Sequence, residues 1–203
     1  MADMESRTLF LPGASGSASF WKPAALRAGV DGEFLSWPGL GDEPAHRDVN
    51  GIGDLVMMIL AHMTEPVNIV AQSMGGVVAI IAALAKPDMV RRLVLAVTSG
   101  GVPVADLGGM EWRANYRERF PNAGQWIAEP VPDLSSQIPS ITAPTLLLWG
   151  DSDPISPVAV GKRLENLLPN ASLHVIPGAD HDLAQTHADI VGSLINRHLQ
   201  PAS

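Results

Sequence analysis

The chain has no cysteine among its 203 residues. That excludes a disulfide framework, a thiol nucleophile and any thiolate site for zinc or an iron–sulfur cluster. Long apolar runs are missing too. The longest, Val77 to Ala85, is nine residues, well short of the roughly 20 that span a bilayer as a helix. Met1 to Arg7 carry Asp3, Glu5 and Arg7 and no apolar stretch, so they do not read as a signal peptide. Positive charge is in the minority, with 13 Lys and Arg against 21 Asp and Glu and a net charge of −8. Such a chain repels phosphate backbones, which argues against nucleic acid as a partner. No block of five like charges occurs, so there is no acidic tail. His and carboxylates do not cluster at ligand spacing, and neither a metal nor a cofactor is expected. No repeat and no low-complexity linker divides the chain, so residues 1–203 are expected to form a single domain. The lack of cysteine fits a cytoplasmic protein. Nothing in the sequence encodes an oligomeric state.

What is present is a core: 46% of the residues are apolar, and a chain of this length buries about 70% of its unfolded surface. Short apolar runs closed by turn residues predict six strands, at Thr8 to Leu11, Glu33 to Trp37, Val67 to Ala71, Leu93 to Val97, Thr145 to Trp149 and Leu173 to Ile176. Their runs are continuous rather than alternating, which predicts strands covered on both faces. Helical patterns fill the gaps at Ile52 to His62, Met74 to Ala85, Val158 to Leu168 and Leu183 to Leu199. Alternation of the two predicts a mostly parallel six-stranded sheet in a three-layer α/β/α sandwich. Ser99 to Ala143 breaks the alternation. It carries paired glycines, then a polar aromatic stretch, then Pro130, Pro132 and Pro139, and reads either as a crossover helix with long loops or as a reduced cap over a site.

Chemistry concentrates in four stretches, each at the end of a predicted strand. Val67 to Gly76 reads as a strand running into Ser73 and then into an apolar helix. So tight a turn strains the serine backbone and tolerates only small residues two positions either side, here Ala71 and Gly75. Its effect is to lift a hydroxyl out of the turn, beside the amide of Met74 at a helix N-terminus. A serine needs a base to attack at neutral pH. His181, in the loop after the last strand, is favoured over His46, which is the reserve. His62, His187 and His198 fall on helical segments and His174 within a strand. The base in turn needs an acid to set its tautomer. Asp151 and Asp153 both follow the fifth strand. One suits turn chemistry and the other is free to reach His181. The first strand ends in Leu11-Pro12-Gly13-Ala14-Ser15-Gly16, whose backbone amides can turn inward to hold an oxyanion, the expected pair being Ala14 and Met74. A phosphate loop is excluded there, because neither Gly-x-Gly-x-x-Gly nor a following Lys-Ser or Lys-Thr is present.

Taken in order, these stretches resemble the α/β-hydrolase superfamily. Leu11-Pro12-Gly13 resembles its His-Gly oxyanion motif, with Pro12 for His. Trp37-Pro38-Gly39-Leu40-Gly41-Asp42 resembles its Pro-Gly-x-Gly turn, and Gln72-Ser73-Met74-Gly75-Gly76 its elbow, with Ala71 for the first Gly. Lys86-Pro87-Asp88-Met89-Val90 is similar to the end of its next helix. Ala143 to Pro154 resembles the strand ending in Gly-x-x-Asp, which selects Asp153. Gly178-Ala179-Asp180-His181 resembles its Gly-x-Gly-His loop, with Asp180 for the second Gly. The resemblance implies a compact member that lacks the usual N-terminal hairpin, with Ser73, Asp153 and His181 as catalytic triad and a small-molecule acyl substrate. The leading expectation is a serine hydrolase cleaving a carboxylic ester. The alternatives are elimination, carbon–carbon or lactone chemistry on a small acidic metabolite, or a catalytically silent binding module. Arg113, Arg117 and Arg119 are candidates to hold a substrate carboxylate, and Trp21, Trp112 and Trp126 to line a pocket.

Overall fold

The computed structural model describes residues 7–200. Six strands form one sheet in the order β2-β1-β3-β4-β5-β6, and every neighbouring pair is parallel. They are β1 (Thr8–Leu11), β2 (Glu33–Phe34), β3 (Val67–Gln72), β4 (Val90–Ala96), β5 (Thr145–Gly150) and β6 (Ala171–Ile176). All residues of β1, β3 and β5 are buried. Such strands lie between two helical layers, as their unbroken apolar runs require. The edges differ. β2 has two half-buried residues, and β6 leaves Ser172, His174 and Val175 exposed.

Seven helices cover the sheet. They are α1 (Lys22–Ala28), α2 (Ile52–His62), α3 (Met74–Ala85), α4 (Arg113–Arg119), α5 (Val158–Leu167), α6 (Leu183–Thr186) and α7 (Ala188–Leu199). α1 packs on α7, and α2 on α3. The first pair meets closely because Gly192 lets its helix sit against the Ala24 carbonyl and the Arg27 Cβ. α3 is the central helix of the opposite layer, with nine of its 12 residues buried.

The chain runs from β1 out to β2, returns past β1 to β3, and then advances to β6. The order therefore reverses between β1 and β3, where open α/β sheets bind ligands outside the carboxyl ends of their strands.

Several boundaries differ from the sequence expectation. β2 ends at Phe34 rather than Trp37, because the chain turns away and the Trp37 N–H donates to the Gly16 carbonyl (2.8 Å). β4 and β6 begin earlier, at Val90 and Ala171. The last helix is two, broken at His187 (φ −124°, ψ 35°). One helix, α1, has no counterpart in the expectation; it carries Pro23 in its first turn and ends at a left-handed Gly29 (φ 62°). α4 is the helix of the irregular segment, where the crossover reading expected one. From Ser99 to Ala143 there is no strand, only α4 and one-turn 3-10 helices at Ala105–Leu107, Gln125–Ala128 and Ile138–Ser140.

Candidate active site

β3 and α3 meet at Ser73, whose backbone sits at φ 52°, ψ −122°. A side chain with a Cβ rarely adopts this region, and the surroundings must impose it. Three hydrogen bonds do so. The Ser73 N–H donates to the Ala96 carbonyl (2.9 Å). The Ser73 carbonyl accepts the Gly76 N–H (2.9 Å) and the hydroxyl of Thr98 (2.5 Å). Thr98 is fully buried and also accepts the Gly100 N–H (3.0 Å). It is placed by Val97, whose φ of 43° is an unfavourable value for a β-branched residue.

The glycines after the serine are spaces for specific neighbours. A Cβ at Gly75 would come within 3.0 Å of the Pro12 carbonyl oxygen, and one at Gly76 would strike Thr98. The requirement for a small residue at position 75 thus comes largely from the loop after β1.

Asp153 and His181 reach Ser73 from the ends of β5 and β6. The His181 Nε2 lies 2.9 Å from the Ser73 Oγ, and its Nδ1 lies 2.7 Å from Asp153 Oδ2. The Asp153 carboxylate is wholly buried. Its other oxygen accepts the N–H groups of Ile155 (2.8 Å) and Ser156 (3.1 Å). With a carboxylate at Nδ1, that nitrogen carries the imidazole proton, and Nε2 is left to accept from the serine hydroxyl. Asp151 does something else. It is exposed, and its Oδ1 accepts the Gly178 N–H (2.7 Å), which ties the β5 turn to the turn after β6. Gln72 adds a further tie, donating through Nε2 to the His181 carbonyl (3.2 Å).

The loop after β1 passes over this group. Four successive carbonyls in it are each held by a donor. The Trp21 Nε1–H donates to Leu11 (2.9 Å), the Trp37 Nε1–H to Pro12 (2.7 Å), the Gly16 N–H to Gly13 (3.1 Å) and the Tyr116 hydroxyl to Ala14 (2.8 Å). The contact between a Cβ built on Gly13 and the side chains of Gln72 and Ser73 shows how closely this loop lies on the elbow. Met74 stands first in α3, where N–H groups have no intrahelical acceptor. Burial pushes the Tyr116 phenol above its usual pKa, a shift the hydrogen bond from Gly41 opposes and the nearby Asp42 carboxylate reinforces.

The remaining candidates lie elsewhere. His46 is exposed beside Asp48, and His62 pairs with Glu33 (2.7 Å) at the far end of the sheet. His174 sits exposed on the edge strand. Trp21 is a core residue, and Trp112 and Trp126 are half-buried. Arg113 lies over the Trp112 ring and pairs with Glu111, while Arg119 lies over Phe120. The sequence reading missed Trp37, Gln72, Thr98 and Tyr116. For Trp37 a signal existed, since a buried indole seeks an acceptor for its N–H. The hydroxyl contacts of Thr98 and Tyr116 had none. Among the described residues, no three His, Asp or Glu side chains are grouped to hold a metal, and no helix is long and apolar enough to cross a membrane.

Known proteins share this architecture. The chain is 26% identical to the 2-hydroxy-6-oxononadienedioate/2-hydroxy-6-oxononatrienedioate hydrolase of Burkholderia vietnamiensis, an alignment covering 93% of this chain and 84% of that one. The alignment runs over 241 positions, more than the chain's 203 residues, so the relative carries stretches with no counterpart here. A thermophilic esterase from Thermogutta terrifontis superposes with a TM-score of 0.76 at 19% identity, covering 95% of this chain and 88% of that one. An α/β hydrolase from the sediment metagenome of the Mar Chica lagoon, Morocco, gives 0.76 at 20% identity, covering 96% and 90%. The model of the alpha/beta hydrolase family matches residues 8–192, which takes in all six strands and the three loops that meet at Ser73, and the chain belongs to that family.

Proposed function

We propose that the protein is a serine hydrolase that cleaves a carboxylic ester through an acyl-enzyme. The observation that carries this is the unbroken hydrogen-bond series from Asp153 through His181 to the Oγ of Ser73, at 2.7 and 2.9 Å. In the first step Ser73 Oγ bonds to the carbonyl carbon as its proton moves to His181 Nε2. The carbonyl oxygen becomes an oxyanion, held by the amides of Ala14 and Met74. Where single donors of this kind have been removed, the loss is roughly 3–4 kcal/mol. The tetrahedral intermediate then collapses, the carbon–oxygen bond to the alcohol breaks, and the alcohol leaves with the proton from His181. Water repeats the sequence on the acyl-enzyme, with His181 as base, and releases the acid. Asp153 holds the imidazole in the required tautomer throughout and stabilises the imidazolium. Residues 99–143 form a thin cover for the site. The absence of cysteine suits work in a reducing cytoplasm.

A second reading is cleavage of a carbon–carbon bond by the same three residues. It is favoured by the relative named as an oxononadienedioate hydrolase. Against it, Arg113 and Arg119 are engaged by aromatic neighbours in their own segment, and Arg113 by Glu111 as well. With two of the three candidate arginines so engaged and only Arg117, exposed on α4, left without an ion pair or ring contact among the described residues, an uncharged acyl substrate is the leading reading.

The test is intact mass after incubation with a fluorophosphonate, on wild type and on Ser73→Ala. One adduct on the wild type, absent from the variant, is expected. A series of esters of increasing acyl length, run beside a 6-oxo-dienedioate, then separates the two readings. A folded wild type that takes no adduct, or a Ser73→Ala variant that still turns over esters, would defeat the assignment.

A further inference from the structure

α4 is a short, mostly exposed helix in the irregular segment, and only one of its residues is buried. That residue is Tyr116. Its ring is set by Trp112 (5.6 Å, edge-on) and Phe120 (5.1 Å) from the same segment. Its hydroxyl reaches out of the segment and makes two hydrogen bonds with chain about 75 and 100 residues away. It donates to the Ala14 carbonyl (2.8 Å) and accepts the Gly41 N–H (2.9 Å).

These belong to the loop after β1, which lies on Ser73, and to the loop after β2, which packs against it. They already abut, since a Cβ on Gly16 would strike the Leu40 carbonyl and one on Gly41 the Ser15 carbonyl. Nearby, the Gly124 N–H donates to Gly39 (2.8 Å), and on the opposite side of the site the Met110 N–H donates to Pro154 (2.7 Å). The segment is thus tied to the loop of the acid as well as to the loop of the oxyanion donor.

Among the four carbonyls pinned in residues 11–14, the first two are held by core indoles and the third by the loop's own backbone. The fourth, that of Ala14, is held by Tyr116. The Ala14 N–H shares a rigid peptide plane with the Gly13 carbonyl, which the Gly16 N–H holds, and the Ala14 carbonyl lies in the next plane, which Tyr116 holds; with both planes pinned, the two dihedrals at Ala14 lose their freedom and its N–H keeps one direction. We propose that Tyr116 is a positioning residue, whose hydroxyl locks Ala14 so that its amide faces the oxyanion, making residues 99–143 a fixed strap of the active site. The inference rests on the serine-hydrolase reading above. It goes further by assigning a role to a segment outside the triad and its elbow. Tyr116 does not touch the reacting atoms. The buried phenol stays protonated through the working pH range, so the donor to Ala14 persists.

The experiment is steady-state ester hydrolysis and the rate of fluorophosphonate labelling, compared for wild type, Tyr116→Phe and Ser73→Ala. Tyr116→Phe keeps the ring and its packing and removes only the hydroxyl. Complete loss of an oxyanion donor costs about 100- to 1000-fold, so a loosened donor should lower kcat by about tenfold. KM should stay within about twofold, because the transition state feels the loss and the ground state does not. Labelling should slow in parallel with kcat, and the kcat–pH profile should keep its shape, because His181 is untouched. Thermal melts place all assays at least 15 °C below the variant's midpoint, which separates lost positioning from unfolding. Unchanged kcat and labelling in Tyr116→Phe, with Ser73→Ala inactive, would overturn this inference alone. So would a raised KM at unchanged kcat, which would make Tyr116 a binding contact. Activity retained by Ser73→Ala would instead overturn the reading beneath it.

Discussion

The strained serine makes a sharp prediction about stability. At φ 52°, ψ −122°, Ser73 holds a conformation that costs a residue with a Cβ about 1–3 kcal/mol. Ser73→Ala and Ser73→Gly both lose the hydroxyl and its bond to His181, so the difference between them isolates the backbone. In Ser73→Ala the Cβ remains, and so does the strain. In Ser73→Gly the strain goes, but the unfolded chain gains freedom that disfavours folding by about 0.5–1 kcal/mol. Taking the middle of each range, the glycine variant should be the more stable by about 1 kcal/mol. In a chain of this length that is a midpoint about 2–4 °C higher. At an ordinary site the order is reversed, with alanine ahead of glycine. Both variants lack the proposed nucleophile, so on that reading neither substrate nor product complicates the comparison. Differential scanning calorimetry and urea unfolding of the two read the difference directly. A glycine variant equal to or less stable than the alanine variant would refute the claim that the elbow stores strain.

Three further outcomes are expected. Gly75→Ala puts a methyl against the Pro12 carbonyl, displaces the loop proposed to hold the oxyanion and should lower kcat by about 100-fold, since a shift near 1 Å at such a site has that effect; wild-type turnover would show that the loop yields freely. Thr98→Val preserves shape but leaves the Gly100 N–H without its partner and the Ser73 carbonyl with the Gly76 N–H alone, and denaturant unfolding should show a loss of about 1–3 kcal/mol. Burial, with help from the Arg92 charge, holds His198 below its usual pKa of 6.5. As pH falls below 6.5 the unfolded chain therefore binds this proton first, and stability present above that pH is lost until the folded pKa is passed. His198→Gln should show a smaller drop in urea midpoint between pH 7 and pH 5 than wild type, and an equal drop would remove His198 from the acid response.

The number of strands and their mostly parallel arrangement were legible because buried parallel strands leave a strong trace, whereas their order in the sheet was not read from the sequence. Val67–Gln72 and Thr145–Gly150 are mostly apolar runs closed by turn residues. Ser73 was legible for a related reason, since it follows such a run directly; Asp153 was told from Asp151 only by the resemblance of Gly150 to Asp153 to a Gly-x-x-Asp ending, and His181 by its place in the loop after β6, and the structure brings the three side chains within hydrogen-bond reach. The two half-buried edges were read less well. β2 shrinks to two residues because the Trp37 N–H finds its acceptor in the Gly16 carbonyl, outside the sheet. α1 escaped notice because its buried face is mostly alanine, which carries little periodic signal. Nor was the support of the site legible. Trp21, Trp37 and Tyr116 act through single polar atoms on residues 10 to 102 positions away in sequence. No local pattern announces such a bond.

The sheet order also sets a timetable. Ser73 and His181 are separated by 108 residues, and the histidine follows β6, the last strand to be synthesised. β6 has one neighbour, β5, so the sheet can close from β2 through β5 without it. A chain at that stage has a formed elbow and a buried acid, yet no base beside the serine. Parallel pairings over such distances are slow to assemble. The emergence of labelling by a fluorophosphonate during refolding would therefore mark the docking of β6, later than the recovery of helical dichroism. On the serine-hydrolase reading, a chain in which β6 has not docked takes no label, and labelling arrives with that strand.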